Sequence, residues 1–412
     1  MVGFMGWFST ANRDNAQVLV HYMPWFRMEP QADGTIAWEH WQWFGEGEKH
    51  DPNDVDDSGH RDIASVYYPL IGPYDGRDPD VLEYHFLTAR AAGIEGFVAD
   101  WYGPNDFSDE VFKAMLATAE RYGMRVAICL EEKTFFPPYA DITTRAQALD
   151  VMEQQLRYVL NTHARSDAYL RHDGKPVFFI FTGFDESPVG PRILSPEELA
   201  TVLARFNDDE LLYVRPLVDE RYLNVVDGNY IWVADGQPRE AFYEAAGAAR
   251  QRGDLDYWVG GAYPGFDDRG VWGWGRGPRI TERRGTGLYE ETWEEVLLHQ
   301  PDAIQVATWN DFGEGTTIEP TEEYGFTFID LTEAFVETFT GRKAKPVDNK
   351  LPYRLYRLRK AAEELPPDEG DAWNARLDDY AEAFGRGRRF LMNWRLRRLE
   401  KALPRIKKGE SR

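Results

Sequence analysis

GFVADWYGPNDFSDEVFKAMLATAERYGMRVAICLEE, residues 96–132, decides the fold. Its opening run, GFVADW (96–101), and its closing run, RVAICLE (125–131), are short and rich in apolar, β-branched or aromatic residues, as buried strands are. Between them SDEVFKAMLATAERYG (108–123) reads as a helix, with Ser108 as N-cap, Glu110 in the first turn and Gly123 as the stop. A helix-length crossover returns the chain to the same end of the sheet, so the two strands are parallel.

The same unit recurs on both sides. Further strands are predicted at VLVHYMPW (18–25), PVFFIFT (176–182), LLYVRPLV (211–218), NYIWVA (229–234), YWVGGAY (257–263) and AIQVATWN (303–310), which makes eight. Helices are predicted at 78–93, 144–160, 195–206, 238–253 and 289–300; only the connection at 219–227 is too short for a good one. Eight alternating units imply an α/β protein with a closed (β/α)8 TIM barrel, and the continuous apolar strands suit burial on both faces. A doubly wound open sheet is the alternative arrangement of the same alternation. A barrel takes about 250 residues. The 412-residue chain therefore divides into a barrel at 1–345 and a C-terminal helical extension at 346–412, with helices over 349–403 broken near ELPPDEGD (364–371).

The formal charge is −23, yet residues 386–412 carry a net +9, which leaves −32 on the rest. So acidic a body repels phosphate backbones, which argues against a nucleic-acid partner and for a neutral substrate. The basic tail, with Phe390, Leu391, Trp394 and Leu399 among its charges, could meet a membrane or an acidic partner. Packing against the acidic barrel is the favoured reading. The single Cys129 excludes an internal disulfide and, lying in an apolar run, reads as an inert buried thiol. The first residues, MVGFMGWFSTANRDNAQ, show no secretory signal, and no apolar run reaches membrane-spanning length, so a cytoplasmic location is expected.

In barrels the chemistry sits where the strands end. Those ends read Trp25, Asp100–Trp101, Glu131–Glu132, Asp185, Asp219, Asp235, Tyr263 with Asp267, and Asn310–Asp311 with Glu314: carboxylates and large aromatics. The last lies in TWNDFGEGTTIEP (308–320). Glycoside hydrolysis needs two carboxyl groups, and Asp311 and Glu314, three apart, can share one side of a turn. The loop 26–77, with Trp38, His40, Trp41, Trp43, Tyr67, Tyr68 and Tyr74, and VWGWGRG (271–277) supply aromatic faces on which sugar rings stack. His21, His40, His50 and His60 show no metal-ligand spacing, so no metal is expected. No nucleophile elbow, phosphate loop or dinucleotide fingerprint is present, and no cofactor is expected.

HYMPWF (21–26), WEHW (38–41), RDIASVYYPLIGPYDGRDP (61–79), AGIEGFVADWYG (92–103), YPGFDDR (263–269) and WNDFGEGTTIEP (309–320) together resemble glycoside hydrolase family 99, over roughly residues 17–340. That family comprises endo-α-mannosidases and endo-α-mannanases. The resemblance implies a (β/α)8 barrel and endo-acting, retaining cleavage of an α-linked oligo- or polysaccharide without metal. Its motif N-E-x-x-E-G-T-x-I-E-P places the general acid/base at Glu314. It places at Asp311 the base that deprotonates the sugar's 2-hydroxyl to form a 1,2-anhydro sugar. Asp311 is one methylene shorter than the family's Glu, and N-D-x-G-E (310–314) also resembles the inverting α-1,3-glucanases of family 71. The resemblance further implies Glu131 as a substrate-binding carboxylate and Tyr68, Trp101 and Tyr230 as subsite residues. The matched motifs add Tyr263, Asp267, Arg269, Trp309 and Asn310 to the substrate-binding candidates. A glycan-binding barrel without catalysis is the reading of another class, and a raised pKa at Glu314 would speak against it.

Overall fold

The computed structural model describes residues 16–234, 236–342, 348–387 and 391–402. Eight parallel strands close on themselves: β1 (Gln17–Tyr22), β2 (Gly96–Trp101), β3 (Arg125–Glu131), β4 (Lys175–Phe181), β5 (Leu212–Pro216), β6 (Gly228–Tyr230), β7 (Tyr257–Ala262) and β8 (Ala303–Val306). Neighbours in space are neighbours in sequence, and Gln17 of β1 lies opposite Ala303 of β8, which shuts the cylinder and excludes the open sheet. Gly96 faces the β3 backbone so closely that a Cβ would lie 2.7 Å from the Arg125 carbonyl oxygen.

Around the barrel run α1 (Pro79–Ala91), α2 (Phe107–Tyr122), α3 (Arg145–Thr162), α4 (Pro196–Leu203), α5 (Gln237–Arg252), α6 (Gly287–His299) and α7 (Thr327–Thr340); β5 and β6 are joined without a helix, as the short connection foretold. Capping boxes at Thr144–Gln147 and Ser195–Glu198 start α3 and α4. Ser108 is not the cap of α2: Asp106 is, accepting from the Ser108 N–H at 2.8 Å and from its hydroxyl at 2.6 Å. An ionised Asp attracts the exposed first-turn donors more strongly than a neutral hydroxyl. The loop after β1 is not wholly irregular either, since Arg27–Pro30 and Ile36–Glu39 pair as a small hairpin.

The extension folds as α8 (Leu351–Glu363), α9 (Pro367–Gly385) and α10 (Met392–Ala402). Leu355, Leu358, Leu377, Phe384, Met392 and Leu396 join the core that covers the barrel's outer face. Among the described basic residues, Arg354 pairs with Glu400 at 2.8 Å and Arg395 lies over the Tyr380 ring, so these charges pack within the helical extension. Residues 388–390 and 403–412 of the tail, like the first fifteen residues, lie outside the described part. No helix among the described residues is long and apolar enough to cross a membrane.

A buried ion pair joins extension to barrel. Arg359 makes two parallel bonds to Glu83 of α1, at 3.0 and 2.9 Å, and Tyr122 donates to the same carboxylate at 2.6 Å. Removing one partner of such a pair leaves a buried charge uncompensated. Arg359→Met is expected to cost roughly 3–5 kcal/mol in urea unfolding, while Glu83→Gln/Arg359→Met together cost less. Equal losses would show that the pair contributes nothing as a pair.

Candidate active site

The site is built on the loop that leaves β8. Strand pairing stops at Val306, four residues earlier than the apolar run suggested, because the chain turns inward. The Thr308 N–H donates to the Thr316 carbonyl at 3.0 Å, and the Thr308 hydroxyl accepts from the Asp311 N–H at 2.8 Å. Within this closed loop the Glu314 N–H donates to Asp311 Oδ1 at 2.8 Å. Gly315 takes a left-handed φ of +60°, and a Cβ there would stand 2.8 Å from the Asp267 carbonyl oxygen. Asp267, after β7, donates its N–H to the Glu314 carbonyl at 2.7 Å. Two loops are thus stitched backbone to backbone at the acid.

Asp311 is buried to 1% exposure and Glu314 is half-buried. Burial, and then the neighbouring Glu314 carboxylate, push Asp311 well above the usual carboxylate range. Burial raises Glu314 to about 7, opposed by the hydrogen bond from Trp274 and by Arg279. The pair therefore resists carrying two negative charges at neutral pH, and Glu314 is poised to give up a proton there.

Further carboxyls converge from β2 and β3. Asp100 Oδ1 lies within hydrogen-bond distance of His21 Nε2, at 3.0 Å. Glu131 is raised to about 8, first by burial and then by Asp100. Lys133 Nζ stands 3.4 Å from Glu131 and 5.0 Å from the Tyr102 ring centroid. Because the Glu131 carboxyl titrates higher folded than unfolded, the unfolded chain binds fewer protons above about pH 4.5, and stability is lost as pH rises through about 8. Glu131→Gln is expected to melt progressively higher than the parent chain between pH 5 and pH 8, by about 1 kcal/mol or more at the top of that range. Parallel curves would contradict it.

An aromatic wall stands over the pair. Trp274 donates through Nε1 to Glu314 Oε1 at 3.2 Å, and its ring would touch a Cβ at Gly313. Trp25 stacks on His40 at 4.5 Å, and Trp274 meets both edge-on. Burial and Lys133 lower the His40 imidazole to about 4, so it is neutral at the pH where the acids work.

The candidate residues divide. Asp311 and Glu314 adjoin, the Asp100 carboxylate acts on both of them and on Glu131, and Asp267 meets Glu314 through its backbone while Arg269 holds its side chain through two bonds of 2.8 and 2.6 Å. Asn310 is a clamp: its side chain accepts from the Met23 N–H and donates to the Met23 carbonyl. Tyr68 braces the rim, its ring tilted against His60 at 4.5 Å and its backbone joined to Glu322 and Glu323. Trp101, Trp309, Tyr230 and Tyr263 are corrected from ligand-facing to interior residues. Strand alternation sends Asp100 into the barrel and Trp101 outward, where it bonds Asp109 and stacks on Tyr158. Trp309 packs against His85 and Phe97. Tyr230 donates to the Ile180 carbonyl below the site, and Tyr263 packs with Leu288 and Ala307. Asp235, expected at a strand end, lies outside the described residues, and β6 ends at Tyr230.

The sequence assigns Asp100 and Lys133 no role and places His40 and Trp274 only among the aromatic faces. Asp100 and Trp274 had signals, a strand-end carboxylate and a Trp-Gly repeat; Lys133 had none. Among the described residues, the donor atoms of His21, Asp100 and Cys129 lie within 4.8 Å of one another. Burial pushes the Cys129 thiol up, so it keeps its proton and is a poor ligand.

Residues 13–325 match the model of glycosyl hydrolase family 99. Over 385 residues the chain is 25% identical to the mouse glycoprotein endo-alpha-1,2-mannosidase-like protein, covering 82% of this chain and 76% of the relative. The mouse glycoprotein endo-alpha-1,2-mannosidase is 25% identical over 332 residues, covering 72% and 66% respectively. The family 99 endo-alpha-mannosidase structure from Bacteroides thetaiotaomicron superposes with a TM-score of 0.62 at 20% identity, over 79% of this chain and 98% of that one.

Proposed function

The chain belongs to glycosyl hydrolase family 99 and is a glycosidase of α-linked glycans, and we propose that it cuts α-mannosidic linkages within an oligo- or polysaccharide, with retention, through Asp311 and Glu314. The observation that carries this reading is the pair itself: two adjacent carboxyls on the β8 loop, both raised, with Glu314 at about 7. Glu314 donates its proton to the departing glycosidic oxygen. Asp311 takes the proton of the 2-hydroxyl, and O2 attacks the anomeric carbon as that bond breaks, closing a 1,2-anhydro ring. Water then opens the ring at the anomeric carbon. Glu314 removes the water's proton and Asp311 returns a proton to O2, so both acids end as they began. Two displacements at one carbon retain its configuration. The backbone N–H of Glu314, bonded to Asp311 Oδ1, favours the charged base at the moment it is needed.

Proton NMR of the first-formed product from α-mannans and an α-1,3-glucan tests the reading. Retention on a mannan supports it. Inversion would recast Asp311 as the group that activates water, as in the glucanases it resembles. Binding without cleavage would reduce the barrel to a glycan-binding module. The rate should fall as pH rises through about 7, since Glu314 acts in its protonated form.

A further inference from the structure

Among the described residues, most large apolar side chains left in solvent stand at the barrel's active end. Phe44, Val55, Tyr139, Phe184, Leu217 and Trp274 all lie on loops that follow strands. Trp274 belongs to the acid pair. Tyr139 and Phe184, 55% and 72% exposed, do not, and both come from the connections after β3 and β4. Nothing in the mechanism uses them.

Their loops are locked together beneath them. Arg192 donates to the Pro137 carbonyl through Nε and Nη2 at 3.0 and 2.8 Å, and to Asp185 at 2.9 Å. Its guanidinium carbon is 6.0 Å from the Tyr139 ring centroid. Glu132 accepts from the Leu194 N–H at 2.7 Å, tying the same two connections from below. Phe184 is steadied edge-on by Phe181 at 5.8 Å. Such bracing holds two apolar faces in water at a fixed place. The Tyr139 face is continuous with the site: Lys133, which pairs with Glu131, also lies 6.0 Å from the Tyr139 ring. From the site outward the contacts run from Glu131 to Lys133, Tyr139 and Arg192, and Asp185, which Arg192 holds, follows Phe184 directly in the chain. Ring faces interleaved with hydrogen-bonding groups fit a sugar, which presents a C–H face and hydroxyl edges.

We propose that Tyr139 and Phe184 form a distal sugar-binding subsite over β3 and β4, holding a glycan residue remote from the scissile bond. This rests on the glycosidase reading above. The subsite sets chain-length preference and leaves bond cleavage untouched.

The test is a ladder of linear α-manno-oligosaccharides, from disaccharide to octasaccharide, with the parent chain, Tyr139→Ala, Phe184→Ala and Tyr139→Trp. For the parent, kcat/KM should climb with length. Each alanine variant should raise KM for the longest substrates about ten-fold, with kcat and the shortest productive substrate unchanged, and Tyr139→Trp should restore length preference. Equal effects at all lengths, or none, would overturn the subsite. If the parent cuts nothing on the ladder, the activity reading fails instead. Calorimetric titration of the same ladder then judges the subsite: affinity weakened only for long chains supports it, and equal or undetectable binding in parent and variants overturns it.

Discussion

Glu314→Gln is expected to lower turnover of a natural α-mannan about a hundred- to ten-thousand-fold, the range of a positioned general acid. The amide keeps an oxygen for the Trp274 N–H, now 3.2 Å from Glu314 Oε1, so the loop should hold its shape. What it loses is the proton. A glycosyl fluoride, whose leaving group departs without protonation, should therefore be cleaved with a much smaller defect than the mannan. The fall in rate through about pH 7 should also vanish on that substrate. A loss of equal size on both substrates would mean that Glu314 does not serve as the acid.

Asp311→Asn should be nearly as damaging, about a hundred-fold or more in kcat, for a different reason. The Asn oxygen can still accept the Glu314 N–H that Asp311 Oδ1 holds at 2.8 Å, so geometry survives while the base is gone. Thermal stability should hold or rise toward alkaline pH, since burial and Glu314 push the Asp311 carboxyl upward and a neutral amide escapes that cost. A substrate lacking the 2-hydroxyl discriminates the role of this residue. It should not be cleaved by the parent chain if O2 is the nucleophile. Cleavage of that analogue at an ordinary rate would assign Asp311 to water instead.

Much was legible before folding. The alternation of apolar runs with capped amphipathic segments determined eight parallel strands, because a strand buried on both faces must be apolar throughout and a crossover needs a helix's length. The same alternation put TWNDFGEGTTIEP at a strand's C-terminal end, and so marked Asp311 and Glu314. The continuous apolar character that revealed the strands also hid which side chains point inward. Asp100 and Trp101 are adjacent in a fully buried strand, and only closure of the barrel sends the carboxylate to the centre and the indole to the helices. Trp309 and Tyr230, both fully buried, show the same ambiguity: an aromatic at a strand end can face a ligand or the core, and composition is the same in both cases. Contacts between loops lay further beyond reach. Trp274 reaches Glu314 across 40 residues of chain, and Lys133 meets Glu131 only because a turn after β3 folds back over it. The sequence by itself determined the order of the strands and the end at which the acids stand. Tertiary structure decided which neighbours desolvate those acids, and desolvation depends on every segment that closes around a group.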